Sequence, residues 1–144
     1  MPQTTQAQHE SDNMTDHPKP PKRPCGSCPY RRDVPSGVWH AEEYAKLPRY
    51  DLETFQQPVG LFMCHQRDGC LCAGWLQTHG TDDLLALRFS PVDPSAYGYT
   101  SDVPVFESGA AAAAHGMAEI DAPGAEAQKT MRNLRRLPRL GADR

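Results

Sequence analysis

Apolar positions recur along this chain in short, broken bursts rather than in long periodic runs. Residues 1–23 show no apolar pattern and end in Pro18-Lys-Pro-Pro-Lys-Arg, a composition that cannot bury enough surface to offset its ordering entropy. The sequence predicts a disordered arm there, with Met14 as an alternative start. Residues 25–38 read as a knuckle and loop. Trp39, Tyr44 and Leu47 then fall close to one face of a short helix over Ala41–Leu47, with Glu42 and Glu43 at its positive end and Pro48 as a stop. A helical turn over Asp51–Gln57 would point Leu52 and Phe55 inward, and Val59–Met63 reads as a strand.

After the Asp68-Gly69 turn, a helix is predicted over Cys72–His79, closed by Gly80. Thr81 or Asp82 caps another over Asp83–Arg88. The prolines and tyrosines of 90–105 predict a loop. Alanines favour a helix over Glu107–Ile120, weakened by Gly109 and Gly116. A last helix over Pro123–Leu137 carries Met131, Leu134 and Leu137 opposite Arg132, Arg135 and Arg136. The expected fold class is a small metal-stabilised domain, mainly α with irregular loops and at most one or two short strands. A disordered arm (1–23) precedes the cysteine-cluster domain (24–90), and a loop plus helical, basic extension (91–144) follows it.

Composition makes the metal part of that expectation. Hydrophobic residues are 38% of the chain, with 14 prolines and 11 glycines, against about 45–50% in ordinary domains. So thin a core needs a staple. Residues 1–24 are neutral, 25–119 hold six bases and twelve acids (−6), and 120–144 hold six bases and three acids (+3), which sum to the net −3. The basic end points to a protein partner or nucleic acid met through Lys129, Arg132, Arg135, Arg136 and Arg139. Met1–Pro24 has no apolar signal region, and no run reaches the ~18 apolar residues of a membrane span. The expectation is a cytoplasmic protein without a membrane partner, in which thiols stay reduced.

All five cysteines lie between 25 and 72. Cys25-Gly-Ser-Cys28 has knuckle spacing, in which the turn's N–H groups serve two thiolates. Cys64 and Cys72 complete C-x2-C-x35-C-x7-C, a set that suits tetrahedral Zn2+ or a [4Fe-4S] or [2Fe-2S] cluster. Cys70 is an alternative to Cys72 as fourth ligand. His65, next to Cys64, diverges from the same ion and suits hydrogen bonding behind the ligands. Arg31 could offset the charge of four thiolates on zinc. Phosphate-loop, zinc-protease, deaminase and nucleophile-elbow motifs are absent from the sequence.

These residues resemble a family. Cys25, Cys28, Pro29, Tyr30 and Arg31, then Pro35, Gly37 and Trp39, then Met63, Cys64 and His65, then Cys72, Gly74 and Trp75 look like an uncharacterised cysteine-motif family of actinobacteria and their phages, a domain of unknown function. The resemblance covers about residues 24–79 and leaves out the tail after 90. It implies that Cys72 is the matching fourth cysteine, that Cys70 is extra and that His65 belongs to the motif.

Three functions follow. The first is a structural-zinc binding or regulatory module of bacterial or phage origin. The second is an iron–sulfur protein that senses redox state. The third is a metal-dependent enzyme using His65, although a non-catalytic role is the stronger expectation.

Overall fold

The structure, a computed structural model, describes residues 17–67 and 69–136. Helix α1 runs Ala41–Lys46 with Glu42 and Glu43 in its first turn. Pro48 does not stop the coiling there; the backbone tightens into a 3-10 stretch, Leu47–Asp51, with the proline in its first turn. A first turn leaves its N–H groups unpaired anyway, so proline costs little in that place. Tyr44, Leu47 and Tyr50 are buried along this rod.

The next turn departs from expectation. It spans Thr54–Gln56, and Leu52 and Phe55 are 48% and 80% exposed. The inward residue is Gln57, whose amide donates to the Leu52 and Asp83 carbonyls while its oxygen accepts the Leu85 N–H. A polar side chain can stand in this core because both ends of its amide are paired. The strand expected over Val59–Met63 is also absent. Among the described residues there is no sheet, and Met63 makes only an isolated antiparallel bridge with Leu71. Pro58 precedes that segment with a missing donor and Gly60 lies within it with a missing side chain, both poor sheet material.

Helix α2, Ala73–His79, starts directly after Cys72 and ends at Gly80, as the sequence predicts. A 3-10 turn, Thr81–Asp83, leads to the short α3, Ala86–Phe89. The loop that follows contains one 3-10 turn, Pro94–Ala96. Helix α4, Gly109–Met117, is capped by Ser108, whose hydroxyl accepts the Ala111 N–H at 3.0 Å. Helix α5 spans Ala125–Arg136. The described residues are therefore mainly helical with irregular connections, and none of their helices is long and apolar enough to cross a membrane.

One apolar cluster holds the molecule together. Tyr30, Tyr44, Leu47, Leu71, Trp75 and Leu76 are fully buried in it, and Val92, Ala96, Ala112 and Ala113 join them from beyond residue 90. The stretch after 90 is thus packed into the same core as the cysteine region. Helix α4 approaches closely enough that a Cβ at Gly116 would overlap the Tyr44 ring, and one at Gly109 the Leu47 carbonyl. A second, smaller cluster seats α5: Ala127 packs with Val34 and Val38, flanked by Trp39, Met131 and Leu134. Lys129, Arg132 and Arg135 are exposed.

Residues 1–16 of the expected arm, with Leu137 and Arg139 of the expected tail, lie outside the described residues. Residues 17–23 run along the body. The Lys19 carbonyl accepts the Leu71 N–H at 3.0 Å and the Pro18 carbonyl the Asp93 N–H at 2.9 Å. The Lys22 carbonyl accepts the Tyr99 hydroxyl at 2.8 Å.

Candidate functional site

Two segments carry the thiols. The first is the knuckle, closed by a turn in which the Cys28 N–H donates to the Cys25 carbonyl at 3.0 Å. The second folds back on itself around Gly69. There the Cys64 N–H donates to the Cys70 carbonyl at 2.8 Å and the Cys72 N–H to the Phe62 carbonyl at 3.0 Å. This pairing presents Cys64 and Cys72 to the knuckle. Cys28 Sγ lies 3.7 Å from Cys72 Sγ, and Cys25 Sγ lies 3.7 Å from Cys64 Sγ. All five cysteines are free thiols. Among the described residues, no three His, Cys, Asp or Glu side chains form a ready-made ion cage. The thiols meet as two pairs.

In each pair one thiol is pulled down and its partner is pushed up. Contact with Cys25 pulls the Cys64 thiol down to about 6, against its burial, helped by the N–H groups of Gln66 and Arg67 and by the Arg67 charge. The Gln66 N–H reaches Cys64 Sγ at 3.4 Å. Contact with Cys72 lowers the Cys28 thiol, again against burial, helped by the N–H groups of Tyr30 and Gly74. The other partners move upward: Cys25 through its contact with Cys64 and then burial, Cys72 through burial and then Cys28. Backbone N–H groups aimed at sulfur are what a thiolate-ligand site needs.

Close packing builds this arrangement. A Cβ on Gly74 would stand 2.5 Å from Cys28 Sγ and 2.6 Å from Tyr30 Cβ, so only glycine lets α2 approach the knuckle. The Trp39 indole N–H donates to the Ser27 carbonyl at 2.8 Å, and the Ser27 hydroxyl donates to Gln66 at 3.1 Å. The first bond ties the knuckle to the approach to α1, and the second ties it to the Cys64 segment.

The remaining predicted residues take separate places. Arg31 donates to the Pro24 carbonyl at 2.9 Å and forks onto Asp33 at 2.9 and 2.7 Å. It straps the entry to the knuckle. Asp33 foremost raises its pKa, against burial, and Cys28 and Cys25 add to the rise. His65 Nε2 meets Glu43 at 2.6 Å, and its ring lies against Trp39 and Phe62. A cleft of about 530 Å3, lined by Glu43, Lys46, Tyr50, Phe62, Cys64 and His65 among others, opens beside it. Cys70 contributes its carbonyl to the fold of the segment, while its thiol is in neither close pair.

These positions fall inside one family model. The chain belongs to a family of unknown function, DUF6283. The family model matches residues 20–136, so the family takes in the whole described core and α5, well past the 24–79 stretch on which the sequence resemblance rests. No curated protein and no solved structure gives a match.

Several residues of the site were missed in the sequence. Ser27, Gln66 and Gly74 each stand next to or near a cysteine, and that adjacency was the available signal. The Tyr30–His79–Asp51 chain had none. The Tyr30 hydroxyl lies 3.1 Å from His79 Nε2, and His79 Nδ1 lies 3.6 Å from Asp51. Asp51 in turn accepts the first N–H groups of α4, Gly109 at 2.7 Å and Ala110 at 2.8 Å. This chain links the knuckle to α4 across residues far apart in sequence.

Proposed function

We propose that Cys25, Cys28, Cys64 and Cys72 hold a single zinc ion that staples a small, non-catalytic binding or regulatory module. The observation that carries this reading is the pair of Sγ–Sγ contacts at 3.7 Å. Tetrahedral zinc with bonds of about 2.3 Å places ligand sulfurs about 3.8 Å apart, so both pairs already have the length of a tetrahedron's edge. The N–H groups aimed at Cys28 and Cys64 and the Arg31 charge near the knuckle support the same reading. Cys70 is outside the ligand set, and His65 with Glu43 forms a polar brace behind Cys64.

A second reading draws on the pairwise grouping. In a [2Fe-2S] cluster each iron takes two cysteines, which also sets two sulfur pairs at about this spacing. A [4Fe-4S] cluster gives every thiolate its own iron and suits such short contacts poorly. Elemental analysis and colour separate the readings. Zinc predicts a colourless protein with one ion per chain, whereas brown protein with absorbance near about 400 nm after anaerobic purification overturns zinc in favour of a cluster.

Serine at Cys25, Cys28, Cys64 or Cys72 should abolish ion retention and lower the melting temperature of the protein as purified, because a bound ion adds its binding free energy to that of folding. Cys70→Ser should leave both intact. Equal damage from Cys70→Ser would sink the ligand assignment.

The module's partner surface, on this reading, is the solvent face of α5. Lys129, Arg132 and Arg135 stand exposed on a helix whose opposite side is docked, within an otherwise acidic chain. An acidic polymer such as nucleic acid fits that face. Binding to duplex DNA should weaken steeply between 50 and 200 mM salt, on the order of tenfold or more for three contacts. Arg132→Glu with Arg135→Glu should remove it, and binding indifferent to both changes would count against the idea.

A further inference from the structure

We propose that the same four cysteines are a site of covalent oxidation, and that they close in crossed pairs: Cys25 with Cys64 first, then Cys28 with Cys72. This goes beyond the zinc reading, since it assigns the thiols a covalent chemistry of their own.

The pairing follows from placement. Each 3.7 Å contact joins one knuckle cysteine to one cysteine of the Phe62–Ala73 segment, 39 and 44 residues apart in sequence. A disulfide needs about 2.05 Å between sulfurs, so each pair must close by less than about 2 Å. Neither bond draws on the neighbour three residues along the knuckle.

The order follows from access. Cys25 is half-buried, and Cys64 lines the 530 Å3 cleft. Cys28 and Cys72 are only 1% and 3% exposed, so an oxidant reaches them after local opening. Cys70, whose carbonyl takes the Cys64 N–H, is the nearest competitor for Cys64, yet the close sulfur contact of Cys64 is with Cys25.

A peroxide is the simplest oxidant. Two thiols and one hydrogen peroxide give one disulfide and two waters. The S–S bond forms as the O–O bond breaks, two electrons pass from sulfur to oxygen, and the thiol protons leave in the water. Both bonds would tie the knuckle to the second segment where an ion would, so oxidation would exchange one staple for another.

The test uses the full chain, reduced and treated with EDTA, then given hydrogen peroxide in steps up to one molecule per pair. Remaining thiols are alkylated and the bonds mapped by tandem mass spectrometry. Expected are Cys25–Cys64 at the first step, Cys28–Cys72 at the second, and Cys70 as the one alkylated thiol of five. With EDTA present, the oxidised chain should also melt at a higher temperature than the reduced one.

A Cys25–Cys28 bond, a Cys64–Cys70 bond, the reverse order or unchanged melting would each overturn the proposal. Because no ion is present in this experiment, its result stands apart from the zinc content measured on the untreated protein.

Discussion

At the scale of single residues, the site depends on an atom that is missing. Gly74 has no Cβ, and one placed there would stand 2.5 Å from Cys28 Sγ and 2.6 Å from Tyr30 Cβ. Neither neighbour is the loose end of a flexible side chain. Gly74→Ala should therefore cost about 1–3 kcal/mol, the usual range for overpacking, and on the zinc reading proposed above it should weaken ion retention as well. Gly26, also beside a knuckle cysteine, has nothing within 4 Å of a Cβ, and Gly26→Ala should match the parent in thermal denaturation. His79 sets a different dependence. Burial lowers its pKa from 6.5 to about 4, and the nearby Asp51 only partly opposes that shift. The unfolded chain therefore binds the extra proton between those values. His79's contribution to stability is complete above pH 6.5, falls as the pH drops toward 4 and is flat below. The loss is on the order of 3 kcal/mol. Urea midpoints measured across this range should show that slope in the parent and a shallower one in His79→Gln.

At the scale of elements, the sequence was legible where local chemistry decides and opaque where tertiary contact does. The start of α2 after Cys72, its end at Gly80 and the docking of α5 by Met131 and Leu134 follow from spacing and caps. The strand over Val59–Met63 failed because a strand needs a partner, which no local pattern supplies. Leu52 and Phe55 were read as inward because they are apolar, while the buried Gln57 has its partners some 26–28 residues away, at Asp83 and Leu85. Gly109 and Gly116 carry the clearest lesson. By propensity they weaken α4, yet they are what lets it sit against Leu47 and Tyr44. Gly116→Ala, a gain in helix propensity, should nonetheless destabilise the protein by about 1–3 kcal/mol, measurable as a lower urea midpoint. An unchanged or raised midpoint would mean that the Tyr44 ring yields.

At the scale of the whole molecule, the cysteines were legible as a set but not as two pairs. Cysteine count and knuckle spacing identify candidate ligands; which sulfur meets which depends on the fold-back around Gly69 and on α2 closing over the knuckle. The packing of residues beyond 90 into the same core was equally beyond sequence reading, because alanines at 96, 112 and 113 carry no strong pattern and still fill that core. The same holds at the other end. Lys19 and Pro18 offer carbonyls to Leu71 and Asp93, although their composition reads as a solvated arm. Leu71 is fully buried, and a buried N–H stripped of its acceptor costs about 1–3 kcal/mol. A chain begun at Pro24 would keep every cysteine and still lose the backbone acceptor that holds the segment between Cys70 and Cys72 in line. Truncation to Pro24 should therefore lower the urea midpoint although it removes no cysteine.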